Sequence, residues 1–173
     1  MARPLKYVDP DRPPSRFSRL YAAVSNTRFG RFVSSRLVWK LDPHLLSVTG
    51  GRVGMGLVLP TALLETRGAK SGELRRNGVL YFHDGDRVTI VASKQGLPGN
   101  PAWFHNLRAN PDVAFGGIPM RATVITDEQQ RERLWKLADR IFAPYADYRR
   151  EAARAGRTIP IVQLTPQERR SGA

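Results

Sequence analysis

The chain has 173 residues, a size for one domain, and a hydrophobic share of 41% that can build its core. It has no Cys and 3 His, which excludes disulfides, Cys-ligated zinc, Fe–S clusters, a Cys nucleophile and a His-rich metal site; no bound metal is expected. Lys plus Arg number 28 against 15 Asp plus Glu, a net charge of +13 that calls for an anionic partner: nucleic acid, a membrane surface or a polyanionic ligand.

Residues 1–15 hold four Pro and read as an extended arm. Phe17, Leu20, Tyr21, Val24, Phe32 and Val33 then recur at helical spacing, with Arg16, Arg19, Arg28, Arg31 and Arg36 beside them. This basic amphipathic segment, broken near Asn26–Gly30, either packs on the domain with an Arg-rich outer face or lies on an anionic membrane. Residues 1–60 carry 10 cations against 3 anions, so the charge excess concentrates here. No stretch approaches the ~20 apolar residues that cross a bilayer, and no apolar signal core opens the chain. The expected location is the cytoplasm, with peripheral attachment to the inner face of the plasma membrane as an added possibility. Gly50, Gly51, Gly54 and Gly56 form a junction without the G-x-G-x-x-G spacing of a dinucleotide site. The organisation expected is a basic N-terminal region over 1–57, a main domain over 58–166 and a polar tail over 167–173.

Val58–Thr66 reads as a strand and Gly68–Gly72 as a turn. Arg76–Phe82 and Arg87–Ser93 are strands around the turn signal His83-Asp84-Gly85-Asp86. Asn100-Pro101 opens a short helix, Ala102–Ala109. Val113–Phe115 and Met120–Ile125 pair around Gly116-Gly117. Thr126-Asp127 caps a helix to about Phe142, a second helix spans Ala146–Ala155, and Ile161–Leu164 is a last strand. Strands joined by tight hairpins, with helices inserted, favour an antiparallel barrel over a parallel sheet.

The segment Arg67-Gly68-Ala69-Lys70-Ser71-Gly72-Glu73-Leu74-Arg75-Arg76 is the most informative. Its Gly residues allow close backbone approach, Ser71 and backbone N–H groups can bind anion oxygens, and Lys70, Arg75 and Arg76 supply charge. It is either a phosphate-binding loop or a solvated basic hairpin; it lacks the Walker A pattern. Ser93 and Lys94 end a strand and could meet a second part of an anionic ligand. Trp103 and Leu107 suit core packing, while Asn106 could brace the neighbouring loop. Tyr145 and Tyr148 lie three apart and share a helix face, either as packing or as a pocket wall with phenolic protons. No Ser-His-Asp order or carboxylate pair supports hydrolysis. No recognition-helix or RRM signature supports nucleic-acid binding.

Taken in order, several segments resemble the deazaflavin-dependent nitroreductase family of actinobacteria. They are Leu64-Glu65-Thr66-Arg67-Gly68-Ala69-Lys70-Ser71-Gly72, Leu80-Tyr81-Phe82, Val91-Ala92-Ser93-Lys94, Asn100-Pro101-Ala102-Trp103 with Asn106-Leu107, Tyr145-Ala146-Asp147-Tyr148 and Ile159-Pro160-Ile161-Val162. The resemblance implies an α+β fold: a split β-barrel like that of FMN-binding oxidoreductases, with peripheral helices. It implies coenzyme F420, an 8-hydroxy-5-deazaflavin with a phosphodiester and an oligoglutamate tail. Lys70, Ser71 and Arg75 match the tail-binding loop, with Arg76 and Asn77 beside it. Val91, Ala92, Ser93 and Lys94 match the strand end beside phosphate and ring. Trp103 and Asn106 match the helix closing that side, and Tyr145 and Tyr148 the catalytic aromatic region over the substrate face. Ala69 stands where many members carry a second basic residue, Gly78 where Pro is common, and Phe142 where some carry a Tyr. The implied activity is hydride transfer from reduced F420 to a small acceptor, a quinone, enone or nitroaromatic. Alternatives on the same barrel are an FMN or haem binder and a non-catalytic F420 carrier. Barrels of this kind often form homodimers.

Overall fold

A computed structural model describes residues 5–12 and 59–167. The expected N-terminal amphipathic helices and glycine junction lie outside the described residues. Strand β1 (Thr61–Arg67) starts just after Pro60, because Pro lacks the N–H a ladder needs. Ala62, Leu64 and Thr66 are buried along it, the period of two expected for a strand. Strand β2 (Leu74–Asp84) and β3 (Arg87–Val91) form a hairpin about Gly85, whose φ of 60° suits the two-residue turn. Helix α1 (Ala102–Ala109) starts after Pro101 and stops before Asn110-Pro111. Strands β4 (Asp112–Phe115) and β5 (Ile118–Val124) turn on Gly116 and Gly117, both at positive φ. Helix α2 (Glu128–Ile141) is capped by Asp127, whose carboxylate accepts from the Gln130 N–H at 2.7 Å. Helix α3 (Tyr145–Arg154) and strand β6 (Ile161–Pro166) complete the described elements.

The strands close into an antiparallel barrel in the order β1-β2-β3-β6-β5-β4, the split barrel expected from the sequence. Alternation along each strand divides the apolar residues between two cores. Leu64, Ile90, Phe115, Met120 and Leu164 fill the barrel, and α1 adds Trp103, Phe104 and Leu107. Phe82, Val91 and Ile161 face outward, under Leu134 and Ala138 of α2 and Tyr145 and Tyr148 of α3. Strands β1 and β3 both run antiparallel to β2, so the loops that follow them lie at the same rim of the barrel.

The N-terminal arm docks along β2. The His83 N–H donates to the Val8 carbonyl at 2.9 Å, and the Val8 N–H donates to His83 Nδ1 at 3.0 Å. The Tyr81 hydroxyl donates to the Lys6 carbonyl at 2.8 Å, and burial pushes its pKa up to about 12. The rings of Tyr7 and Tyr81 flank His83. Acceptance at Nδ1 requires an unprotonated nitrogen, and burial lowers the His83 pKa below its ordinary 6.5. The unfolded chain therefore takes up the proton first as pH falls. The stability that His83 contributes is complete above about pH 6.5 and declines below it, towards the lower folded value. Urea denaturation at about pH 7.5 and about pH 5 should show this loss, with a flatter profile in His83→Gln. Equal slopes in the two proteins would refute the assignment.

Candidate functional site at the barrel rim

The turn after β1 is built by its own backbone. The Gly68 N–H donates to the Glu73 carbonyl and the Gly72 N–H to the Gly68 carbonyl, both at 2.8 Å. The Glu73 N–H donates to Ser71 Oγ at 3.3 Å. A Cβ on Gly68 would stand 2.6 Å from Ser71 Oγ, so a side chain there would displace that hydroxyl. Asn106 ties the turn to α1: its Oδ1 accepts from the Ala69 N–H at 3.0 Å, and its Nδ2 donates to Thr66 Oγ1 at 3.1 Å. Among the described residues, the N–H groups of Lys70 and Ser71 meet no acceptor. Two successive unengaged amides, a hydroxyl and a lysine, all exposed, form a donor set for an anion.

Arg75 and Arg76 part company, because neighbouring side chains on a strand point to opposite faces. Arg75 lies opposite Thr66 on the inward row, together with Asn77, and pairs with Glu73 at 2.5 Å. That pair is exposed, so its carboxylate exchanges readily for a ligand anion. Arg76 pairs with Glu65 at 2.7 Å on the other face, away from the turn's donor row.

The second rim loop follows β3. Val91 is buried in the outer core and Ala92 in the barrel core. The Ala92 N–H donates to the Pro160 carbonyl at 3.0 Å, so this amide is engaged within the fold. The strand ends at Val91, two residues before the expected Ser93, and Ser93 precedes a short 3-10 turn, Lys94–Gly96. Lys94 and Gln95 hold positive φ angles of 47° and 55°. Lys94 Nζ donates to the Pro98 carbonyl at 2.9 Å and remains at the surface. Gly96 presses on α3: a Cβ there would stand 2.8 Å from the Tyr148 carbonyl oxygen.

Trp103 is buried in the barrel core, the packing role its helix position suggested. Asn106 is buried as well and braces the turn through Ala69. Tyr145 and Tyr148 share a face of α3, and both rings are buried with Phe142 and Trp135 in the outer core. Burial pushes the Tyr145 pKa far above the usual phenol value, with smaller contributions from Tyr148 and Asp139. Lys70, Ser71, Arg75, Asn77, Ser93 and Lys94 belong to one rim; α1 holds the first loop through Asn106, and Asn100, which ends the second loop, accepts from Arg157. Sequence reasoning missed Gly96, Asn100 and Arg157. Their signals were a Gly after two polar residues, an Asn before Pro, and an Arg just past a helix end, none distinctive. No group of three metal-ligating side chains occurs among the described residues.

The site is thus one rim of a closed antiparallel barrel, carrying a turn whose free donors are arranged for an anion. The comparisons refine this. Residues 39–166 match the family model of the F420H2-dependent quinone reductases, and the match begins within the N-terminal region. The F420H2-dependent quinone reductase Rv1261c of Mycobacterium tuberculosis (strain H37Rv) is 40% identical over 134 residues, covering 73% of this chain and 88% of the relative. A solved F420-H2 dependent reductase, FDR-A, is similar with a TM-score of 0.53 and 34% identity, over 61% of this chain and 93% of that one. A domain-swapped dimer is similar with a TM-score of 0.54 and 29% identity, over 79% of this chain and 96% of that one. The chain belongs to the F420H2-dependent quinone reductase family.

Proposed function

We propose that the rim holds reduced coenzyme F420 and that the protein reduces a quinone with it. The observation that carries this is the turn Gly68–Gly72, whose unengaged Lys70 and Ser71 amides, Ser71 hydroxyl and Lys70 ammonium suit a phosphodiester and glutamate tail. Bound F420 supplies a hydride from the C5 carbon of its deazaflavin to the acceptor. Arg75 adds charge on the same row once it leaves Glu73, and Asn77 lies further in along it. Ser93 and Lys94 serve the second loop. Asn106 and Trp103 act from behind, one fixing the turn and the other filling the barrel under it. Tyr145 and Tyr148 serve as the packed wall of the substrate side. Burial raises the Tyr145 pKa, which makes its phenol a weaker acid than a free tyrosine and favours solvent as the proton source.

Fluorescence titration of oxidised F420 into the pure protein tests the reading, followed by reduced F420 with menadione. Saturable F420 binding and menadione-dependent oxidation are expected. Tight FMN or haem binding without F420 binding would overturn it, and F420 binding without turnover would make the protein a carrier.

The +7 excess of residues 1–60 (10 cations against 3 anions) supports peripheral attachment to an anionic membrane, where lipid-soluble quinones reside. Leu74 at the start of β2 and Leu97 on the second rim loop, each about half exposed, suit such a surface. No helix of the described residues is long and apolar enough to cross a membrane. Deleting residues 1–40 should reduce binding to anionic vesicles; unchanged binding would discard this role for the segment.

A further inference from the structure

Arg157 has no part in the roles given above, yet it bonds to more of the rim than any residue assigned to it. It follows α3 through a glycine cap. Gly156, at φ 66°, donates to the Ala153 carbonyl at 3.0 Å, and the Arg157 N–H donates to the Ala152 carbonyl at 2.9 Å. This pair of bonds fixes the Arg157 backbone to the helix end. Its side chain then reaches across to the loop after β3. Nε donates to Asn100 Oδ1 at 3.0 Å; Nη1 donates to the carbonyls of Ser93 at 3.0 Å and Leu97 at 2.8 Å; Nη2 donates to the carbonyl of Ala92. The guanidinium therefore holds both ends of the loop and its middle.

The loop needs holding. Lys94 and Gln95 are successive non-glycine residues in the left-handed region, where Cβ crowds the backbone carbonyl. Such a shape persists only when its surroundings over-determine it. Every acceptor of Arg157 is neutral, and no carboxylate among the described residues forms an ion pair with it. Its charge is thus not neutralised by a carboxylate among the described residues, and it lies against the Ala92 and Ser93 carbonyls. Desolvation lowers its pKa somewhat, but a guanidinium stays charged.

We infer that Arg157 is a positioning residue for the cofactor: it holds the Ser93–Asn100 loop in the shape that presents Ser93 and Lys94, and it adds positive charge behind them. The inference rests on the F420 reading above. Planarity matters here as well as charge. A lysine keeps the charge but cannot reach carbonyls spread over the fork of a guanidinium.

The test compares wild type with Arg157→Gln, Arg157→Lys and Asn100→Ala. Arg133→Gln serves as a control, because it breaks a bidentate pair with Asp84 at a distance from these contacts. Two quantities are measured: the Kd for oxidised F420 by fluorescence, and hydrogen exchange at the Gly96 and Leu97 amides, which donate to the Ser93 and Lys94 carbonyls. Arg157→Gln is expected to raise the Kd by about tenfold or more and to speed exchange at both amides by about as much. Arg157→Lys should fall between Arg157→Gln and wild type, and Arg133→Gln should match wild type. An Arg157→Gln protein with a Kd within about twofold of wild type and undiminished protection at Gly96 would overturn the inference. If that variant fails to fold, Asn100→Ala decides: wild-type affinity and protection there overturn it. A wild-type protein that does not bind F420 removes the cofactor reading, while the exchange data still decide whether Arg157 holds the loop.

Discussion

Asn106→Leu is expected to destabilise the protein by about 2–4 kcal/mol and to weaken F420 binding by about tenfold or more. The substitution keeps the branching of the side chain but removes both bonds of the clamp between α1 and the turn. The Ala69 N–H and the buried Thr66 hydroxyl each lose their partner, and each costs about 1–3 kcal/mol when left unpaired. The turn also loses its one side-chain tie to the helix, so the Lys70 and Ser71 amides no longer share a fixed direction. Thr66→Val separates the two effects. It removes only the Thr66 end and leaves the Ala69 bond, so stability should fall by about 1 kcal/mol while F420 affinity stays near wild type. Urea denaturation and F420 titration on the three proteins check this. Wild-type F420 affinity in Asn106→Leu would show that the turn does not depend on the clamp.

Gly96→Ala should have an effect of similar size on the other loop. The φ of 77° is strained for any residue with a Cβ, at about 1–2 kcal/mol. The new methyl would also stand 2.8 Å from both the Tyr148 carbonyl oxygen and Glu151 Cβ, and one of those atoms is helix backbone that cannot swing aside. The loop must lift from α3, taking Ser93 and Lys94 with it. Gly85→Ala is the matched control. Its φ is 60°, but no atom lies within 4 Å of the added Cβ, so it reports the conformational cost alone. Gly96→Ala should exceed it in stability loss and should alone weaken F420 binding. Equal losses in the two variants would mean that contact with α3 contributes nothing.

Much of the barrel was legible in the sequence because its signals are local. Helix α1 falls on Ala102–Ala109 as read, bracketed by Asn-Pro pairs that act through φ restriction alone. The hairpin at Gly85 and the Asp127 cap are equally short-range. What escaped depends on distant partners. The acceptors of Arg157 lie 57 to 65 residues away, and three of them are backbone carbonyls that have no signature in a sequence. The shared face of Tyr145 and Tyr148 was predictable from their spacing, but which way that face turns is set by Phe142 and Trp135 packing against it. The separation of Arg75 from Arg76 was available in principle, since strand alternation alone forbids them a common side. Two adjacent left-handed residues at Lys94 and Gln95 could not have been read, because neither residue type favours that conformation.

Closure of the barrel bears on how this protein meets other copies of itself. Every described strand has a neighbour on both sides, which leaves little edge among them for pairing with another chain. The seam between β1 and β4 is the shortest join, carried by Leu64 opposite Phe115 and Glu65 opposite Ala114. Leu5 of the arm covers its end, with Cδ1 lying 2.7 Å from where a side chain at Gly116 would begin. Arm and seam together form a latch. While it is shut, addition of a strand from a second copy at this seam is hindered. Protonation of His83 removes the acceptor of the Val8 N–H, so acid conditions should loosen the arm and uncover this end of the seam, seen as faster hydrogen exchange at Gly116.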